Sequence, residues 1–178
     1  MNKKLKLWEL DRVSDNEFKE QEKFPIIVIL NEIRSLTNVG TFFRTCDAFN
    51  VEKIYLCGIT ATPPHREIQK TALGATESME WEHRESTIDL VNELKQEGVK
   101  ICSIEQTEQT TFLQDVSKFS TKERYALVFG NEVNGVDQDV IDASDYIIEI
   151  PQFGTKHSLN VSVCAGIVMW EFVRMLEL

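Results

Sequence analysis

The sequence predicts an α/β domain in which a parallel sheet carries helices on both faces. Two observations predict it. Short apolar runs rich in β-branched residues recur as PIIVIL (25–30), KIYLCG (53–58), VKICSI (99–104), YALVFG (125–130) and DYIIEI (145–150). They are nearly continuous rather than alternating, the pattern of strands covered on both faces. Helical periodicities separate them: Val39, Phe42, Phe43, Cys46 and Phe49 recur at three-to-four spacing, as do Ile88, Val91 and Leu94 ahead of Gly98. Strand and helix in alternation belong to a parallel sheet with helices packed on its two sides.

The elements follow in order. Residues 1–23 read as a polar helical extension. After the first strand, Asn38 suits the N-cap of the first core helix. TPPHREIQKTALGA (62–75) reads as a functional loop. The final segment, Leu159 to Trp170, is apolar almost all round, with only small residues (Ser162, Ala165, Gly166) interrupting. A helix without a polar face must be covered on more than one side. It lies between the sheet and another helix, or at a subunit interface, and the modest chain length favours a homodimer. At 178 residues, with no repeat and no Pro/Gly linker, one domain over 1–178 is expected.

Composition narrows the function classes. No apolar run approaches the ~18 residues of a membrane span, and the start, MNKKLKLWELDR, has no apolar stretch or cleavage site of a secretory signal. Cys46, Cys57, Cys102 and Cys164 show no C-x-x-C spacing, which points to reduced thiols in a cytoplasmic protein. His65, His83 and His157 are scattered and predict no metal site. A net charge of −10 opposes a general nucleic-acid coat. A local basic surface is still open to Lys3, Lys4, Lys6, Arg44, Arg66, Lys70 and Lys156, which lie near the candidate functional segments.

Four of the five strands run directly into polar or glycine-bearing turns: NEIRSLTNVG, EQT, GNEVNG and PQFGTKHSLN. Ligands of open parallel sheets bind beyond the carboxyl ends of the strands, so these turns converge on one crevice. Gly40 and Arg44, four apart, share a helix face that lets an anionic group approach the backbone. The plainer reading is a capped amphipathic helix with a solvated arginine. FGNEVNGV lacks the Lys-Ser/Thr of a phosphate loop, no G-x-G-x-x-G occurs, and Asn134-Gly135 is by itself a turn signal. Glu132 follows a buried strand, where a carboxylate would hold the Arg44 guanidinium. KHSLN offers a hydrolase reading with Ser158 as nucleophile and His157 as base, but adjacent side chains rarely aim at each other and no G-x-S-x-G is present. Ser158 reads better as the cap of the last helix.

Taken together, these segments resemble the SpoU (TrmH-type) RNA 2'-O-ribose methyltransferases of the SPOUT superfamily. The first motif reads as Asn31, Arg34, Asn38, Gly40 and Arg44, and the second as Gly130, Asn131, Glu132 and Gly135. The third reads as Ile150, Pro151, Ser158, Leu159, Asn160 and Ser162. The resemblance implies a trefoil knot near the C-terminus, an exception to the rule that chains do not thread loops. It implies S-adenosyl-L-methionine as cofactor, contacted by Ile104, Glu105, Gly130, Ile150, Leu159 and Ser158. It further implies a homodimer with the active site at its interface and a tRNA or rRNA substrate. Arg44 is then the catalytic residue, as a base or as a phosphate-anchored activator. Asn38 orients Arg44 or the ribose, Glu132 fixes the arginine, and Ser158 and Asn160 shape the transfer pocket. Two rivals remain within the resemblance: a base-methylating enzyme of the superfamily, and a non-catalytic RNA-binding protein of the same fold.

Overall fold

Ile26, Val28 and Leu30 point to one face of the first strand while Ile27 and Ile29 point to the other, and all five are buried. The period-two pleat thereby feeds two cores at once. The computed structural model describes residues 2–6, 9–10, 13–156 and 158–177. Seven strands form its sheet: β1 (Phe24–Asn31), β2 (Val51–Cys57), β3 (Trp81–Arg84), β4 (Lys100–Ile104), β5 (Thr111–Phe112), β6 (Tyr125–Phe129) and β7 (Tyr146–Glu149). Their order is β3-β2-β1-β6-β4-β7-β5, and every pairing is parallel.

The helices are α1 (Asp15–Glu20), α2 (Leu36–Ala48), α3 (Arg66–Ala72), α4 (Ala75–Ser78), α5 (Thr87–Gln96), α6 (Gln138–Ala143) and α7 (Val161–Glu177). On one face α2, α3, α4 and α7 enclose a core that includes Phe42, Phe43, Phe129 and Phe172; on the other, Leu90, Val91 and Leu94 of α5 and Val140 of α6 cover Ile27, Ile29 and Val128. The five expected strands are all present. Two more, β3 and β5, edge the sheet, and β3, WEHR, has one apolar residue and is half-buried throughout. An edge strand needs no continuous apolar run, so β3 gave no signal of its own.

Several local expectations change. Within the expected N-terminal extension the described residues hold one short helix, α1, closed by a capping box between Ser14 and Glu17. Residues 66–72 and 75–78 are helical rather than a loop, because Ile68 and Ala72, four apart, form a buried stripe. The N-cap of α2 is Ser35, whose hydroxyl accepts the Asn38 N–H at 3.3 Å, so Asn38 sits inside the first turn. The cap of α7 is Asn160 and not Ser158: its Oδ1 accepts the N–H groups of Ser162 at 3.0 Å and Val163 at 3.3 Å. Gly40 is not open to a ligand either. A Cβ there would lie 2.2 Å from the Ile68 carbonyl oxygen and 2.1 Å from Thr71 Oγ1, so glycine lets α3 lie directly on α2.

The last helix is sided. Ala165, Val168, Met169 and Phe172 are fully buried, whereas Val163, Ile167 and Trp170 are 53%, 40% and 56% exposed. These three fall at i, i+4 and i+7, one stripe of the helix.

Candidate functional site

Beyond the carboxyl ends of β4, β6 and β7 lies a cleft of about 460 Å³. Ile104, Glu105, Gly130, Ile150, Ser158 and Leu159, which the family resemblance nominated from separate segments, all line it. Ile148 and Val161 add apolar wall, and Glu132, Glu149 and Gln152 add polar groups. Apolar wall and convergent polar groups together are what a small-molecule site needs.

One wall is the loop from Gly130 to Asp137, and its shape is fixed from within. Asn131 and Gly135 exchange backbone hydrogen bonds at 3.1 and 3.0 Å, and Asn131 Oδ1 accepts the N–H groups of Val133 and Asn134 at 2.9 and 2.8 Å. Gly135 has φ +73°, a conformation that glycine adopts without strain. A Cβ on Gly130 would lie 2.0 Å from the Gly135 carbonyl carbon and 2.1 Å from the Val136 nitrogen. Glycine is therefore needed at 130 for the loop to close on itself, a reason independent of any ligand.

Two side chains clamp this loop to its neighbours. Glu105 accepts the Val136 N–H at 3.1 Å through Oε2 and the Gln106 N–H at 2.8 Å through Oε1. Asn31, fully buried at the end of β1, accepts the Asp137 N–H at 2.9 Å and donates to Asp137 Oδ2 and Thr87 Oγ1, each at 2.9 Å. Sequence reasoning placed Asn31 in a motif without a role, and it missed Thr87 and Asp137. Only a buried asparagine at a strand end hinted at such a clamp.

Asn38 joins three segments. Its Nδ2 donates to Glu132 Oε1 at 2.6 Å, and its Oδ1 accepts from Asn160 Nδ2 at 3.3 Å and Ser162 Oγ at 3.5 Å. Ser162 Oγ also donates to Asn160 Oδ1 at 2.7 Å. The loops after β1, β6 and β7 thus meet in one network beside the cleft. Arg44 does not join it. The Glu132 carboxylate holds Asn38 rather than the guanidinium, and Arg44 is exposed with no hydrogen bond or ion pair to any described residue. Six residues at about 100° each set Arg44 roughly 120° around α2 from Asn38. Asn38 therefore cannot orient Arg44 of its own chain. His157 lies outside the described residues.

Cys164 lines the cleft as well, and burial, with the Glu105 charge adding to it, pushes its thiol up to about 12. It stays protonated and is no nucleophile at neutral pH. Among the described residues no three His, Cys, Asp or Glu side chains form a metal-binding group, and no helix is long and apolar enough to cross a membrane.

The fold and site define an α/β protein with a ligand cleft at the carboxyl edge of a parallel sheet, bordered by an asparagine–carboxylate network. Residues 25–170 match the family described as the SpoU rRNA Methylase family, and the chain belongs to it. A mouse (Mus musculus) tRNA (guanosine(18)-2'-O)-methyltransferase is 30% identical over 151 residues; the match covers 84% of this chain and only 9% of that protein. Two solved structures are similar in fold at 24% identity. The A. aeolicus TrmH/SpoU tRNA modifying enzyme has a TM-score of 0.80, with 92% of this chain and 82% of that one covered. An AdoMet-bound rRNA methyltransferase from Sinorhizobium meliloti has a TM-score of 0.78, with 89% and 60% covered.

Proposed function

We propose that the protein is an S-adenosylmethionine-dependent methyltransferase that acts on a ribose 2'-hydroxyl of tRNA or rRNA. The observation that carries this reading is the Asn38–Glu132–Asn160–Ser162 network, which unites the three motif segments at the edge of the cleft. Family membership and the bound cofactor named for the S. meliloti structure support it. The cleft suits such a cofactor: isoleucines and a leucine offer apolar wall to a flat heterocycle, and Glu132, Glu149 and Gln152 offer polar partners.

S-adenosylmethionine supplies a methyl group on a sulfonium centre; the protein must bring a ribose hydroxyl in line with it. Asn38 is held by a carboxylate on one side and an amide on the other, so its orientation is set before substrate arrives. Asn160, Ser158 and Leu159 shape the entrance from the opposite loop. Arg44 is the group for the transfer step. A base role would need a desolvated guanidinium, and Arg44 is exposed. Its exposure favours the anchor role, in which the planar fork holds a substrate phosphate and steadies charge developing on the ribose oxygen.

Because Arg44 faces away from the network of its own chain, the reading includes a homodimer in which a second copy supplies that arginine. The exposed stripe Val163, Ile167 and Trp170 on α7 is the surface to be covered. The trefoil knot belongs to the same reading; the placement of β6 and β7 on either side of β4 supports it. A cytoplasmic location is supported by four free cysteines, which suit a reducing compartment.

The test is mass-spectrometric mapping of 2'-O-methyl nucleotides in RNA from cells with and without the gene, beside calorimetry with S-adenosylmethionine. One nucleotide should lose its methyl group when the gene is absent. Unchanged ribose methylation together with a lost base methylation would replace the ribose reading with the base-methylating one. Folded protein that binds no cofactor at millimolar concentration would overturn the methyltransferase reading.

A further inference from the structure

Six arginines lie among the described residues, and they fall into two sets. Arg84 pairs with Glu82 and Glu93, Arg124 with Glu52 and Glu97, and Arg174 with Glu171. Arg34, Arg44 and Arg66 are exposed and have no ion pair or hydrogen bond through their guanidinium groups to any described residue. With 29 acidic against 19 basic side chains, a glutamate within reach is the ordinary fate of an arginine on this surface. Three unpartnered arginines in one part of the fold depart from that pattern.

Their placement follows from how α3 meets α2. Thr71 Oγ1 donates to the Thr37 carbonyl at 3.0 Å, and the Ile68 carbonyl lies against Gly40. Arg66 is two residues from Ile68, about 3 Å along its helix axis, and Arg44 is four residues from Gly40, about 6 Å along its own. Arg34 precedes Thr37 by three residues in the loop that enters α2. The carboxylates nearest in sequence make other contacts: Glu32 accepts the Ile59 N–H at 3.1 Å, Asp47 accepts the Ser78 hydroxyl at 2.5 Å, and Glu67 faces Lys70 at 4.0 Å.

We infer that Arg66, on the Arg44 side of the α2–α3 contact, and Arg34, at its opposite end, extend Arg44 into the docking surface for the phosphate backbone of an RNA. The inference rests on the methyltransferase reading above and extends it to residues outside the transfer site. A guanidinium fork matches phosphate oxygens in pairs. The acidic remainder of the surface repels a polyanion, so the strand is drawn to the track where, among the described residues, arginines are free.

The experiment uses the full chain and fluorescently labelled total tRNA, titrated over a range of salt concentrations. Arg34→Ala with Arg66→Ala should weaken binding roughly tenfold or more and lower the slope of log affinity against log salt by about one per arginine removed. Arg66→Glu alone should weaken it further than Arg66→Ala. Arg124→Gln, which removes a paired cation, should leave affinity and slope unchanged, and S-adenosylmethionine affinity should be the same in all four proteins. A double variant that is folded by circular dichroism and keeps wild-type affinity and slope overturns the docking surface and leaves the methyltransferase reading standing. Wild-type protein that binds the cofactor but no tRNA also overturns the docking surface. Wild-type protein that binds neither overturns both.

Discussion

Around the cleft, Asn31, Glu105 and Asn131 direct hydrogen bonds at the loop that forms its wall, whereas Arg34, Arg44 and Arg66 on the α2–α3 side make none through their side chains to any described residue. The two regions share the first motif, since Asn31, Arg34 and Arg44 lie within fourteen residues of one another. The contrast separates the part of the site that is finished by folding alone from the part that is not. A pocket for a small ligand has to be preorganised, and buried polar groups must be satisfied inside the chain. A surface for a polyanion works in the opposite way: its charges are useful only while they lack internal partners.

The largest expected effect separates the two regions directly. Arg44→Ala should lower single-turnover methyl transfer by roughly two to four orders of magnitude. Cofactor affinity should change little, because Arg44 does not line the cleft. Arg44→Lys should recover little, since an ammonium cannot present a planar fork. Full activity in Arg44→Ala, measured beside cofactor titrations, would sink the anchor role and leave the fold untouched.

Asn31→Ala probes the finished region. It takes a partner from the buried Thr87 hydroxyl and the acceptor from the Asp137 N–H, which should cost about 1–3 kcal/mol in urea unfolding. Cofactor affinity should fall with it as the 130–137 loop loosens. Unaltered affinity in a destabilised protein would show that the clamp serves stability alone.

A pair of substitutions on α7 sharpens the dimer reading. Ile167→Glu lies on the exposed stripe and should give folded, soluble monomers by sedimentation. Val168→Glu, one position on, buries a charge in the core and should unfold the protein instead. A wild-type monomer at micromolar concentration would remove the reason for the exposed stripe.

The smallest effect concerns the thiols. Burial pushes Cys57 up to about 11 and Cys164 up to about 12. At pH 8 folded protein should therefore react slowly with a thiol reagent and all four cysteines should react after denaturation. The folded state holds these protons where the unfolded chain releases them near its ordinary thiol value. Stability should accordingly fall as pH rises from about 9 toward 11–12, as thermal unfolding across that range would record.

Sequence pattern alone accounts for the sheet class, the two-faced core and the convergence of the strand-end turns on one cleft. Continuous apolar runs such as IIVIL can be buried only between two helical layers, and turns at the carboxyl ends of parallel strands have one crevice to meet in. Local competition hid the caps, since Ser35 and Asn38, like Ser158 and Asn160, are equally plausible at a helix start until the backbone chooses. What Gly40, Gly130 and Glu132 do depends on contacts that only the folded chain makes. Gly40 and Gly130 are required by backbone passing within van der Waals distance, Ile68 in one case and Gly135 in the other. Glu132 binds Asn38 rather than Arg44 because the loop after β6 ends beside the first turn of α2, while Arg44 lies a turn and two-thirds further on. Such partners are set by where distant segments meet in space, which spacing along the chain does not encode.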